Sequence, residues 1–418
     1  MTDREFDVIV FGATGFVGKL TAAYLAEHAP EGTRIALAGR TRSKLEKVRG
    51  ELPAAAAQWP LVVADADSAE ELGEMASRTR VVCTTVGPYL RYGEKLVEAC
   101  AKKGTDYVDL TGEVPFVRTT IDKFDETAKG SGARIVHACG FDSVPSDIGA
   151  FALHKRVEKD GAGQMGDTTM IVRSFRGGIS GGTIDSMRVI ARQATDSDVR
   201  KVLGNPHALS STGAPKPAGG ERLREPSDLA PVDAAKVDPS LKGTLAPFFM
   251  ASSNTRIVRR SNAVLGGAYG EKFRYGEAMY VGDTPVVSTV TASAVAAVTA
   301  GFFGLMAVKP LAPLVDRVLP KPGDGPSESA RENGHFTTKT YTTTSSGKRY
   351  VATFHSDGDP GYNATARMLG ESALTLALDR DALPDRAGIL TPASAMGDAL
   401  IARLTAAGVE IDTEEITE

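Results

Sequence analysis

Cysteine is scarce: Cys83, Cys100 and Cys139 are the three in a chain of 418 residues. An odd count without metal-ligand spacing argues against a disulfide framework and a zinc ribbon, and no metal site is expected. Neither sign of charge dominates, since 48 Lys and Arg stand against 52 Asp and Glu, a net charge of −4. The chain therefore lacks the electrostatic footprint of a general nucleic-acid binder. Its beginning, MTDREFDVIVFGATG, has no basic stretch leading into an apolar one, so no signal peptide is expected and the reading is cytoplasmic. Glycine is in excess, at 44 residues, where an average chain has about 7%. Many of these glycines fall where strands should turn into helices.

Residues 6–11, FDVIVF, read as a short buried strand. A glycine turn follows, Gly12-Ala13-Thr14-Gly15-Phe16-Val17-Gly18, and then a stretch of helical period from Lys19. Strand, glycine turn and helix are the context of a dinucleotide fingerprint, although the spacing is GxxGxxG, not GxGxxG. Gly12, Thr14, Gly15, Phe16, Val17 and Gly18 are the expected pyrophosphate cradle, at the N–H end of a helix. A second strand, 34–38, ends without the acid that would hold a ribose 2′-hydroxyl. Arg40, Ser43 and Lys44 stand there instead, and suit a 2′-phosphate. The cofactor reading is therefore NADP(H), with Asp65, Val86, Gly87, Pro88 and Tyr89 completing the site at later strand ends. Strands and helices keep alternating to about residue 147. This predicts an α/β fold, with a Rossmann-type doubly wound parallel sheet over 1–150.

The blocks FGATGFVGKLTAAYL, IALAGRTRSKL, TTVGPYLRYGEKLVEACAKKGTDYVDLTGE and HACGFDSVPSD resemble the saccharopine dehydrogenase-like oxidoreductases. SGGTIDSM, NTRIVRRSNA, FRYGE, KPGDGPS, YTTTSSGKRY and LTPASAMGDALIARL extend the resemblance, within that group, to the mycobacterial trans-acting enoyl reductases. It covers nearly the whole chain, and is weaker at 195–245 and 284–318. It implies reduction of a carbon–carbon double bond on a lipid intermediate, in trans to a polyketide synthase. It does not fix the substrate.

Residues 151–385 are expected to form an α+β substrate domain with a mixed or antiparallel sheet, and 386–418 a C-terminal helix packing back on the nucleotide domain. The hairpin signal is strongest at 336–355, with Ser345-Ser346-Gly347 as the turn. The glycine turn at 177–183 reads as a helix cap or an anion site. Residues 205–245 read as a long surface loop. Arg256, Arg259 and Arg260 read either as a contact for an acidic carrier or phosphate, or as a solvated strand edge. Residues 284–308 carry no charge over 25 positions. Three readings stay open for them: a buried helix pair, the wall of an acyl pocket, or a segment on or across a membrane.

For the chemistry, Tyr89 and Ser143 are the expected hydrogen-bond donors, among strand-end residues that include Tyr92, His137, Asp142 and Ser146. His137 and Cys139 read as core, and Glu113 as a cap of the helix after it or a cleft residue. No Tyr-x-x-x-Lys pair marks a short-chain dehydrogenase. The leading expectation is an NADPH-dependent reductase of a lipidic or carrier-bound enoyl substrate, homo-oligomeric or peripheral to the inner face of the plasma membrane. The alternatives are a non-catalytic NADP(H)- and lipid-binding protein, and an amino-acid dehydrogenase of the saccharopine reductase kind.

Overall fold

The computed structural model describes residues 4–178, 181–194, 196–210, 224–307 and 326–417. The first sheet is built from β1 (Phe6–Phe11), β2 (Ile35–Gly39), β3 (Leu61–Val63), β4 (Thr79–Thr84), β5 (Asp106–Val108) and β6 (Arg134–Val136), with β13 (Gly388–Leu390) added from far along the chain. Its order is β13-β6-β5-β4-β1-β2-β3, and every pairing is parallel. All six β1 residues are buried, as a parallel strand covered by helices on both faces requires. The order reverses between β1 and β4, so a crevice opens at their carboxyl ends, where doubly wound sheets bind ligands.

The helix Asn363–Leu378 covers one face of this sheet, packing on β1, β4, β5 and the helix Phe16–His28. Its run of Ala, Gly, Ser and Thr allows that close approach, and Ser372 and Thr375 return their hydroxyl protons to the carbonyls of Met368 and Glu371.

The second sheet contains β7 (Met165–Arg176), β8 (Val232–Asp233), β9 (Thr244–Pro247), β10 (Arg274–Met279), β11 (His335–Thr344), β12 (Arg349–Asp357) and β14 (Glu410–Glu415). Its order is β14-β12-β11-β7-β10-β9-β8, and it is mixed: β7 runs parallel to β10 and antiparallel to β11. The hairpin β11–β12 forms where expected. The helix Val144–Lys159 leads from the first sheet and packs on β11, β12 and β14. The fold class is thus as the sequence suggests.

Several local expectations are corrected. The stretch 386–418 is more than a helix: β13 extends the nucleotide sheet, β14 closes the second sheet, and helix Gly397–Ala406 lies between them. The two halves are therefore interleaved in sequence. Within 205–245, residues 211–223 lie outside the described residues, and the remainder includes β8, a turn of helix at Ala234–Val237, and β9. Of the 284–318 segment, 308–318 lie outside the described residues, as do 179 and 180 of the glycine turn. Pro285–Ala307 is one helix, not a helix pair; it packs on β9 and on the helix Gly181–Gln193. Val286, Val287, Val290 and Val298 on it are exposed, while Ala292 and Ser288 are buried. Among the described residues no helix is long and apolar enough to cross a membrane.

The three arginines overturn the reading of a solvated strand edge. They sit on a helix, Ala251–Val264, and all are buried. Arg259 pairs with Glu225 at 3.0 Å, Arg256 pairs with Asp228, and Arg260 donates to the carbonyls of Leu209 and Ile389. Burial lowers the Arg260 guanidinium to about 10. Buried charges persist only when partnered in this way, so these groups anchor Leu203, Leu209, Glu225, Asp228 and Ile389 and do not form a solvated strand edge.

Candidate active site

The glycine turn is shaped by backbone sterics. Gly12 has φ +90°, and a Cβ there would lie 2.8 Å from Val86 Cγ2. A Cβ on Gly18 would lie 2.2 Å from the Gly12 carbonyl oxygen, so only glycine lets the helix start this close to the strand. Gly15 is the N-cap of Phe16–His28 and provides no side-chain cap. The first N–H groups of the helix are left for a ligand oxygen. Thr14 and Gly15 are exposed beside them, and Phe16 and Val17 are half-buried. This cradle fits a dinucleotide pyrophosphate.

Gly39 ends β2 within 4.0 Å of the Thr14 methyl, measured from a Cβ built on the glycine. Arg40, Ser43 and Lys44 follow, all exposed. Here the structure keeps together what the sequence placed together: an open helix N-terminus in the glycine turn and a basic rim, Arg40 to Lys44, at the end of β2. Asp65 is different. Its carboxylate accepts from Asp67 N–H at 2.9 Å, so it serves its own loop. Val86 packs against Gly12.

Next to the cradle lies a cavity of about 730 Å³. Gly15, Phe16, Val17, Thr85, Gly87, Pro88 and Tyr89 line its first-sheet side, whereas the helix Gly181–Gln193 and residues near 250 line the other. Asp142 reaches this cavity from the loop after β6. Burial, reinforced by the charge of Asp109, pushes its carboxyl up to about 7, with its own backbone N–H acting against them.

Asp109 fixes that loop. Buried after β5, its carboxylate accepts from Tyr107 hydroxyl at 2.8 Å, Thr111 N–H at 3.0 Å and Ala138 N–H at 3.0 Å, and contacts His137 Nδ1 at 2.7 Å. His137 Nε2 lies 3.0 Å from Thr120 Oγ1, so this histidine is a satisfied core residue, as read. Ala138 has φ +61°, a conformation held by the Asp109 bond to its N–H. Four residues later the chain presents Asp142.

Both expected donors are already engaged. The Tyr89 ring lines the cavity, but its hydroxyl donates to Thr84 O at 3.3 Å and accepts from Leu110 N–H at 3.2 Å. Ser143 is buried and donates to Asn254 Oδ1 at 3.1 Å; Asn254 in turn donates to the buried Glu277 at 3.0 Å. These hydroxyls hold strand ends in place and are not offered to a ligand. Glu113 caps the helix before it in sequence, accepting from the N–H groups of Tyr89 at 2.9 Å and Leu90 at 2.8 Å, and from Ser186 hydroxyl at 2.7 Å. Burial raises its carboxyl against the pull of those bonds. Asp142 was visible in the sequence only as one of several strand-end residues. Its distinguishing signal is a carboxylate placed directly after Gly140-Phe141 at the end of a buried strand.

A doubly wound nucleotide domain, a mixed-sheet domain and a shared cavity at the switch point define an NADP-dependent oxidoreductase of saccharopine dehydrogenase-like fold. Residues 8–136 match the saccharopine dehydrogenase NADP binding domain. Over 99% of both chains, the protein is 52% identical to a Mycobacterium tuberculosis protein provisionally named a trans-acting enoyl reductase. It is 47% identical, again over 99% of each, to a protein of that organism named trans-acting enoyl reductase. The saccharopine dehydrogenase (L-glutamate forming) of Saccharomyces cerevisiae shares the fold, with a TM-score of 0.54 at 12% identity over 98% of this chain and 99% of that one. The chain belongs to the trans-acting enoyl reductase family.

Proposed function

We propose that the protein reduces the carbon–carbon double bond of an enoyl thioester, using NADPH, on a lipidic or carrier-bound acyl chain made by a separate synthase. The observation that carries this reading is Asp142: a carboxyl near neutrality on a largely apolar cavity beside the dinucleotide cradle. The names of the relatives support it.

When bound, the cofactor supplies a hydride. Enoyl reduction also puts negative charge on the thioester oxygen, and requires a proton at the carbon next to the carbonyl. Asp142 in its acid form can donate a hydrogen bond to that oxygen or hand over that proton. Burial beside the apolar wall favours the acid form of this carboxyl. The amino-acid alternative loses support, because the arginines that would hold extra carboxylates are already paired inside the protein.

The direct test is NADPH oxidation by the purified protein with crotonyl and hexadecenoyl thioesters. Turnover is expected. Tight NADPH binding with no oxidation in the presence of either thioester would replace this reading with a binding role. Arg40→Ala is expected to weaken NADPH binding by roughly tenfold, the size of one charge-assisted contact of about 1.5 kcal/mol, with NADH binding unchanged. Isothermal titration with both nucleotides checks it, and equal losses would move the 2′-phosphate away from Arg40.

A further inference from the structure

The helix Gly181–Gln193 forms one wall of the cavity that Asp142 reaches. This helix is tied to the cofactor side by the Ser186 bond to Glu113, which also holds the Tyr89 and Leu90 N–H groups. From Thr183 onward, Met187, Ile190, Ala191 and Ala194 line the cavity. Steps of three and four residues place them on one helix face. At about 1.5 Å per residue, the stripe from Thr183 to Ala194 is about 16 Å long. Leu203, Leu229 and Phe249 line the same space. Arg256 and Asp228 also reach it, but they neutralise each other, and Arg256 donates to Leu203 O at 3.1 Å. The lining thus combines the Asp142 carboxyl with a largely aliphatic wall on this helix and around Leu203, Leu229 and Phe249.

We infer that this stripe is the groove for the unreactive apolar tail of the substrate, and that Ala191 and Ala194 set the longest tail it takes. The inference rests on the enoyl-thioester reading and adds a length limit to it. Each methylene buried in such a groove is worth roughly a fourfold gain in affinity. Ala191 is 6% exposed and on the lining, so a larger side chain there takes space from the tail.

The test compares Ala191→Phe and, at a less buried position, Ala194→Leu with the parent protein. Relative kcat/KM is measured for crotonyl-CoA and hexadecenoyl-CoA. The long substrate is expected to lose about tenfold or more, the equivalent of roughly two expelled methylenes, with the short one unchanged. Equal losses on both, or no loss on either, would overturn the inference. Binding of fluorescent parinaroyl-CoA to the NADPH-loaded full-length protein gives a readout independent of turnover. If the parent protein reduces neither thioester but binds this probe and the variants do not, the enoyl reading fails and the groove stands. If the parent does not bind the probe, or the variants bind it equally well, the groove is wrong. A normal melting temperature with NADPH shows that each variant is folded.

Discussion

Asp142→Asn is expected to lower kcat by roughly a hundredfold to a thousandfold, the usual worth of a positioned proton donor. Asparagine keeps the size of the side chain and an N–H donor but has no proton to transfer. NADPH affinity should be unchanged, because Asp142 lies on the cavity and not in the glycine turn. The pH dependence carries the sign. Burial raises the Asp142 carboxyl to about 7, so the acid form is abundant below that pH and is lost above it. Activity of the parent protein should therefore fall as pH rises through about 7, and the Asn variant should lack that limb. A variant with full kcat and the same limb would assign the proton to another group.

Gly18→Ala is expected to abolish measurable NADPH binding and to lower the melting temperature. The new Cβ would sit 2.2 Å from Gly12 O and 2.7 Å from Thr85 Oγ1. Retreat is blocked because Gly12 O already accepts from Gly15 N–H at 2.9 Å and Thr85 hydroxyl at 3.3 Å. Overpacking of this kind costs about 1–3 kcal/mol, and here the strain falls on the cradle itself. Gly15→Ala separates packing from ligand contact. Its Cβ would meet nothing nearer than Gly12 O at 3.3 Å, so the fold should persist while phosphate approach is obstructed. Thermal melts and nucleotide titration of both variants make the comparison; an unchanged affinity for Gly18→Ala would show that the helix can shift without harm.

The nucleotide half was legible because its information is local. FDVIVF is an unbroken apolar run, as a strand buried on both faces must be, and the glycines after it answer to contacts only a few residues away. Partners distant in sequence left weaker marks. Gly388–Leu390 becomes β13 only through β6, some 250 residues earlier. NTRIVRRSNA alternates like a strand edge, yet it is helical and buried because Glu225 and Asp228 arrive from another segment to pair its arginines. The same reason separates Tyr89 from Asp142. Residue type placed both at strand ends, but the direction of the Tyr89 hydroxyl depends on Thr84 and Leu110, and the elevated carboxyl of Asp142 depends on what buries it.

The position of β13 also sets a schedule for biosynthesis. A ribosome that has made the first 150 residues has delivered the whole glycine turn but not the edge strand beside β6, nor the helix Asn363–Leu378 that covers β1, β4 and β5. Until then the nascent sheet has an open edge and a bare apolar face, the two features that invite wrong association. Completion of the nucleotide half waits for Gly388–Leu390, some 240 residues later, so the cradle and the cavity beside it mature late. A protease cut or frameshift after the hairpin would remove not an appendage but the closing stave of the cofactor domain.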